Sequence, residues 1–335
     1  MTHKIWLLLD SRTVGGIETH VLQLAQAIQH SLPYAVSVMF LRRFEREHPL
    51  VTQLRAQAIE TEYLRTGLYS AMRRRHPALI HTHGYRAGIL GRISAKQQNI
   101  PVVSTFHAGE ITTGKLAWYD RIDRWTAQLA DHRLAVSQEI AQRIPGQCRI
   151  LNNFIRVPPT ISQGDQIAFV GRLSAEKGPD SIIKLAKRLP NQRFHLYGDG
   201  PMASSLQQHC PANCQLHGPQ LDMGALWGKI GILLIPSRFE GLPMAALEAM
   251  SRGIPVLAYD VGALSQLIQT HVNGWRVPPG DLCQFTTHLR QWLNASACEK
   301  AQMSALARQT IIDRFSVSAL VPSLQNIYRS AMMAH

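Results

Sequence analysis

The chain has 335 residues, with 35 Lys/Arg against 22 Asp/Glu, 45% hydrophobic residues and five cysteines. That length suits two domains with cores of their own. It holds no run near the ~18 apolar residues of a spanning helix, no low-complexity tract and, with an odd number of irregularly spaced cysteines, no disulfide framework.

The opening Ile-Trp-Leu-Leu-Leu is stopped at once by Asp10. It reads as a first strand rather than a signal peptide, and the expected compartment is cytoplasmic. Residues 1–157 hold 20 Lys/Arg against 11 Asp/Glu, net +9; residues 158–335 hold 15 against 11, net +4. The excess sits at Arg42-Arg43, Arg46, Arg73-Arg74-Arg75, Arg86 and Arg92. Nucleic acid, an anionic membrane and phosphorylated small molecules would all be attracted. The arginines are not interleaved with stacking aromatics in the pattern a single-strand binder needs, so no nucleic-acid partner is expected. Arg73–Arg75 equally fits the C-terminal end of a helix.

Lys4–Leu9 is an apolar strand, and helical apolar spacing follows over residues 17–29. Between them, Gly15 and Gly16 let backbone come close to a phosphate or sugar. The spacing is not G-x-G-x-x-G, which disfavours a nicotinamide oxidoreductase. Residues 35–41 form the next strand, and a helix over 69–75 ends before Pro77. A third strand, 78–83, closes on His81-Thr82-His83; a strand points only one face inward, and His83 is read as a cleft residue without metal. A helix over 87–98 leads to strand 101–106, which places His107 at a carboxyl end, where open α/β sheets keep their ligands. Helix 119–130, strand 133–137, helix Gln138–Arg143 and strand 148–151 precede a turn-rich linker at 152–159. Such alternation means a parallel sheet covered on both faces.

The pattern then restarts. Strand Gln166–Val170 runs into Gly171-Arg172-Leu173-Ser174-Ala175-Glu176-Lys177-Gly178. Helix 180–188, strand 193–197 and the turn Gly198-Asp199-Gly200-Pro201 follow. Arg172 and Lys177 lie in a glycine-bounded loop off a strand end, where two fixed cations can face a diphosphate; alone, the loop reads better as a solvated basic turn, and only Glu240 and Glu248 downstream reverse that reading. His209, Cys210, Cys214 and His217 are crowded at a spacing that fits no zinc finger, and lead into a strand at 215–217. Ile230–Ile235 is a buried strand closed by Pro236. Past it, Glu240-Gly241-Leu242-Pro243-Met244 turns into a helix over 244–250, with Pro243 suited to the first helical position. A helix N-terminus beyond a strand end is an anion site. Glu240 and Glu248 flank it, placed either to accept hydroxyl hydrogen bonds or simply to cap and solvate the helix.

Glu240 and Glu248, with seven residues between them inside Ser-Arg-Phe-Glu-Gly-Leu-Pro-Met-Ala-Ala-Leu-Glu-Ala-Met, resemble the signature of glycosyltransferase family 4. Gly15-Gly16-Ile17-Glu18, Thr105-Phe106-His107-Ala108-Gly109, Gly171–Gly178, Tyr197–Pro201 and the turns at 260–263 and 273–281 are similar to further motifs of that family. Gln266 departs from it, near where a glutamate is usual, and the compact N-terminal half implies short acceptor loops.

The resemblance implies the GT-B fold, two facing Rossmann-like doubly wound parallel-sheet domains with a donor cleft between them. Residues 1–157 would be the acceptor-side domain, 158–315 the nucleotide-sugar domain, and 316–335 a tail helix crossing back. It implies a retaining transferase that moves a hexose-type sugar, from a UDP-sugar in preference to a GDP-sugar, to a hydroxyl of a glycan or lipid-linked acceptor. The setting would be bacterial surface polysaccharide or lipopolysaccharide synthesis. Arg172, Lys177, Glu240 and His107 would be the catalytic set. Gly171, Gly198, Gly241, Leu242, Pro243, Met244 and Glu248 would bind the donor, and Gly15 and Gly16 would form the acceptor-side phosphate loop. No D-x-D-type acidic site appears, so neither a metal nor another cofactor is expected. The basic first half would dock on an anionic inner leaflet, or else the enzyme is freely soluble with arginines that merely end helices. The rival functions are another nucleotide-sugar enzyme on this fold, such as an epimerase, and a non-catalytic nucleotide-sugar-binding paralogue.

Overall fold

A run such as Lys4–Leu9 is apolar at successive positions because both of its faces are covered. In the computed structural model, which describes residues 3–12, 15–45, 47–64, 67–107, 115–220 and 223–335, that strand (β1) is central to a sheet. Its pleat sends Ile5, Leu7 and Leu9 toward Val21, Leu24 and Ile28 of helix Gly16–Ser31, and toward Val321, Leu324 and Tyr328 of the last helix, Val317–Met333. Trp6 and Leu8 point the other way, onto Ala71, Met72, Ala87 and Ala95. Each such buried Leu or Ile contributes about 1.5–3 kcal/mol relative to exposure.

The remaining strands of this unit are β2 (Ala35–Phe40), β3 (Glu60–Tyr63), β4 (Leu79–His83), β5 (Val102–Phe106), β6 (His132–Ala135) and β7 (Arg149–Ile150). They lie in the order β3-β2-β1-β4-β5-β6-β7, all parallel. The unit comprises residues 1–156 and 317–335.

Residues 157–316 form the second unit. Its strands are β8 (Gln166–Val170), β9 (Phe194–Tyr197), β10 (Cys214–Leu216), β11 (Ile230–Ile235), β12 (Val256–Tyr259) and β13 (Gly274–Val277), in the order β10-β9-β8-β11-β12-β13 and again all parallel. Ile167, Phe169, Ile232 and Leu234 pack against Ile182, Leu185, Phe285, Leu289 and Trp292. Counted from its own first strand, the second sheet reads 3-2-1-4-5-6, the doubly wound order, and the first has the same order with a seventh strand added beyond the sixth. The order reverses between β1 and β4, and between β8 and β11. In such sheets the crevice for a ligand opens beyond the carboxyl ends at that reversal.

Several elements differ from expectation. β3, Glu-Thr-Glu-Tyr, is an edge strand with no apolar run, and β13 occupies what read as a turn. Pro243 is the residue before helix Met244–Ser251, extended at φ −71° and ψ 128°, rather than its first residue. The four metal-type side chains of 209–217 go separate ways: Cys210 Sγ donates to the Cys214 carbonyl, His209 meets the Ser205 carbonyl, and His217 meets His195. All five cysteines are free. Among the described residues no helix is long and apolar enough to cross a membrane.

Candidate active site

The carboxyl ends of β8 and β11 are stitched together by backbone. After β8 the chain makes a tight turn at Ala175–Lys177 and passes through Gly178 in the left-handed region at φ +63°. A Cβ at Gly178 would stand 2.1 Å from the Pro236 carbonyl oxygen, so only glycine permits this approach. Glu176 O accepts Arg238 N–H at 2.8 Å, and Arg238 Nη1 reaches Ala175 O at 2.5 Å. This crossing delivers Lys177 onto Glu240, 63 residues later: Lys177 Nζ donates to Glu240 Oε2 at 2.7 Å, and Ser237 Oγ donates to Oε1 at 2.7 Å. Glu240 is buried while Lys177 is partly exposed. Arg172, in the same loop, is exposed and among the described residues makes no ion pair.

Lys177, Glu240 and Arg172 are therefore at the reversal point of the second sheet, but Lys177 already has a carboxylate partner. Gly171 and Gly198 adjoin them, and a Cβ at Gly198 would lie 1.9 Å from the Gly171 carbonyl oxygen. The Gly241 carbonyl accepts Ala263 N–H at 2.9 Å. Leu242 and Met244 are buried, so what they can offer a ligand is backbone, not side chain. Glu248, on helix Met244–Ser251, accepts the indole N–H of buried Trp227 at 3.0 Å. Burial pushes its carboxyl up, against the opposing pull of Arg252 and the indole.

In the first unit the strand ends carry imidazoles. His107 follows β5 and shares a 3.1 Å hydrogen bond, Nε2 to Nδ1, with His83 at the end of β4. His20, on helix Gly16–Ser31, packs its ring 4.8 Å from that of His107 and 5.5 Å from that of His83. His81 completes the group beside His83, held by the Tyr328 hydroxyl and Thr105 Oγ1, each at 2.7 Å. His81 and His83 thus share one face of β4, as their two-residue spacing requires. Burial depresses all four. His20 falls to about 4, despite an opposing contact with Asn153, and His81, His83 and His107 lie well below the usual histidine range. Sequence reasoning missed His20 because a histidine on an amphipathic helix carries no local sign of which strand end it will face.

Three of these rings, His20, His83 and His107, are the grouping among the described residues able to take a metal, with ligand atoms within 4.8 Å of one another. Tetrahedral bonds of 2.0–2.1 Å put donor nitrogens about 3.3 Å apart, so the set as it stands is loose for that purpose. A cavity of about 50 Å³ lies beside His107, lined by Thr82, Tyr85, Arg92, Asp120 and Asp123 among others. It has room for a few waters, not a sugar ring.

Gly15 and Gly16 lie after β1. Glu18 accepts the Gly15 N–H at 2.7 Å, which satisfies the start of the helix. A Cβ at Gly16 would meet nothing within 4 Å, so no internal packing demands a glycine there and a ligand has space to approach.

Two family models tile this chain: "Glycosyltransferase Family 4" over residues 14–160 and "Glycosyl transferases group 1" over residues 153–310. The chain is a GT-B glycosyltransferase of group 1/family 4. Among the enzyme's relatives is an Escherichia coli UDP-Gal:alpha-D-GlcNAc-diphosphoundecaprenol alpha-1,3-galactosyltransferase, 22% identical over 78% of this chain and 77% of that one. Another is the lipopolysaccharide 1,6-galactosyltransferase of Escherichia coli K12, 30% identical over 49% of this chain and 53% of that one. Of solved structures, Anabaena HepE in complex with UDP and glucose superposes with a TM-score of 0.84 at 18% identity, covering 98% of this chain and all of that one.

The basic residues expected to dock on a membrane are partly engaged in this glycosyltransferase. Arg42 donates two hydrogen bonds to Asp10, at 3.2 and 3.1 Å, and Arg86 approaches the same carboxylate. Arg43 stacks over Tyr63, and Arg75 pairs with Glu62. Arg46, and Ala108 and Gly109 of the motif after His107, lie outside the described residues.

Proposed function

We propose that the enzyme transfers a hexose-type sugar, with retention of configuration and without a metal, from a UDP-sugar to a hydroxyl of a glycan or lipid-linked acceptor in bacterial surface-polysaccharide synthesis. The observation that carries the donor half is the cation set at the reversal point of the second sheet. As the glycosidic bond breaks, negative charge grows on the departing diphosphate. Lys177, exposed Arg172 and the N-terminus of helix Met244–Ser251 are placed to meet it. Lys177 moves from Glu240 toward phosphate, which frees a Glu240 oxygen for a sugar hydroxyl. The bond from C1 to the phosphate oxygen breaks, the acceptor oxygen bonds C1 on the same face, and its proton passes to the leaving phosphate. Glu248 holds ribose hydroxyls, His107 the transferred sugar and Gly15-Gly16 the acceptor side.

Support for the acceptor class comes from the relatives, one named for a diphosphoundecaprenol substrate and one for lipopolysaccharide. The UDP and glucose bound by HepE favour uridine. A thermal-shift screen of UDP-, GDP- and ADP-sugars tests the donor, since a ligand at 100 times its Kd adds roughly 2.7 kcal/mol of stability. UDP-sugars alone should raise the melting temperature. An equal response to all three, or to a GDP-sugar only, would overturn the uridine assignment.

A further inference from the structure

His83, at the end of β4, is fully buried, and its two ring nitrogens are treated differently. Nδ1 shares the 3.1 Å hydrogen bond with His107 Nε2. Nε2 is buried and among the described residues has no partner. The neighbouring rings supply none. His81 is held at both nitrogens, by the Tyr328 hydroxyl and Thr105 Oγ1. Neither His20 nitrogen reaches hydrogen-bond geometry, although Asn153 contacts that ring. A neutral imidazole carries a proton on one nitrogen and accepts at the other. Burial keeps His83 and His107 neutral, so of the two atoms that meet, one is an N–H and the other a lone pair. If His107 Nε2 carried the proton, His83 would carry its own on Nε2, a buried N–H with nothing to accept it. Orphaned buried N–H groups are rarer than under-used acceptors. The pair therefore settles the other way: His83 Nδ1–H donates, His107 Nε2 accepts, and the proton of His107 stands on Nδ1.

We infer that His83 is a positioning residue, which holds His107 in the Nδ1–H tautomer and so makes it a hydrogen-bond donor toward an oxygen of the transferred sugar. His107 is partly exposed, and its Nδ1 makes no hydrogen bond among the described residues, so that is the atom left for a ligand. The inference rests on the reading of His107 as a sugar contact for its purpose, but not for its geometry. It also bears on a step of the transfer. The nitrogen that His107 offers already bears a proton, so it cannot remove one from the acceptor hydroxyl. That agrees with passage of the acceptor's proton to the leaving phosphate.

Imidazole ¹⁵N spectra of the histidine-labelled enzyme at neutral pH test it, with His107→Gln to assign the ring. Wild-type His107 should show a protonated Nδ1 and a bare Nε2, and that spectrum decides the tautomer even where a variant fails to fold. His83→Phe keeps a ring but no donor, and should let His107 exchange its proton between the two nitrogens. His83→Asn, whose amide N–H reaches from the position of Nδ1, should restore the single tautomer. UDP release from UDP-glucose should follow suit, with kcat/KM about tenfold lower in His83→Phe and mostly recovered in His83→Asn. The thermal shift with UDP alone should be equal in all of them, because that ligand carries no sugar. A bare Nδ1 in wild-type His107, a tautomer unmoved by His83→Phe, or full activity of His83→Phe where His107→Gln is impaired would each overturn the assignment. Full activity of His107→Gln would instead count against His107 as a sugar contact, and no UDP release by the wild type would count against the donor; both leave the tautomer standing.

Discussion

The two sheets share a strand order yet furnish their carboxyl ends with opposite chemistry. At β8 and β11 the side chains are formally charged and the cations are reachable: Lys177, partly exposed on buried Glu240, and Arg172 in the open. At β4 and β5, with His20 arriving from helix Gly16–Ser31, they are four neutral imidazoles, three of them fully out of water. A parallel sheet decides where a ligand crevice lies, not what it binds. Burial tells the two ends apart. Ionised groups that remain partly wet can meet a diphosphate, whereas rings dried to neutrality can exchange hydrogen bonds with a hydroxyl without attracting an anion.

The largest expected effect tests the charged end. Arg172→Ala and Lys177→Ala should each lower kcat by about 10²-fold or more, the scale on which lost charge-stabilising donors act. The two variants are not equivalent. Arg172 is exposed, and its loss should leave the melting temperature where it was. Lys177→Ala also strands the buried Glu240 carboxylate, and should cost stability of about 1–3 kcal/mol as well as rate. Near-normal transfer by both would remove the diphosphate assignment.

A smaller effect tests the neutral end. His20 has a folded pKa of about 4 against an ordinary value of 6.5. Between those values the unfolded chain takes up a proton that the folded one refuses, so stability is complete above pH 6.5 and is lost as the pH falls toward 4. For His20 alone the loss between pH 7.5 and pH 5 is about 2 kcal/mol. His81, His83 and His107, also depressed by burial and by one another, add to it. Asp123, which burial raises to about 6 beside Arg92, opposes it by about 1 kcal/mol at pH 5. Urea melts at the two pH values measure the sum, and imidazole ¹⁵N shifts identify the rings. A His20 ring already protonated at pH 6 would show that this end of the sheet is wet.

What the sequence made legible follows from how local each signal is. β1, β8 and β11 announced themselves because strands buried on two faces are apolar throughout. β3 did not, because a half-covered edge strand can be Glu-Thr-Glu-Tyr, with Ser37 and Lys4 answering Glu60 from other strands. Gly274–Val277 read as a turn because its glycine and flanking prolines outweighed Trp275 and Val277, whose burial depends on Phe285 and Leu289 farther along. At the site, each loop's composition was readable in isolation. The ion pair between Lys177 and Glu240, and the arrival of His20 beside His83 and His107, depend on crossings between distant segments. Periodicity carries no information about those.

The smallest expected effect is none at all, and it bears on both ends together. If cations and a helix terminus meet the leaving charge at the second sheet, a chelator has nothing to remove, and transfer should proceed at its normal rate in EDTA. The first sheet makes this a real risk rather than a formality. His20, His83 and His107 are already neutral, so a zinc-type ion would displace no proton on binding, and His107 belongs to the proposed sugar site. Against it stand the 3.1 Å hydrogen bond that His83 and His107 already share and the spread of up to 4.8 Å among the ligand atoms, where tetrahedral ligation needs about 3.3 Å. Closing that gap would draw a helix residue and two strand ends together inside a packed core, which resists such strain. Activity abolished by EDTA and restored by Zn²⁺, with the metal retained by wild type and lost in His20→Ala, would make the histidines a metal centre. Activity restored by Mg²⁺ or Mn²⁺ instead would place a metal at the diphosphate and displace Arg172 and Lys177 from that role.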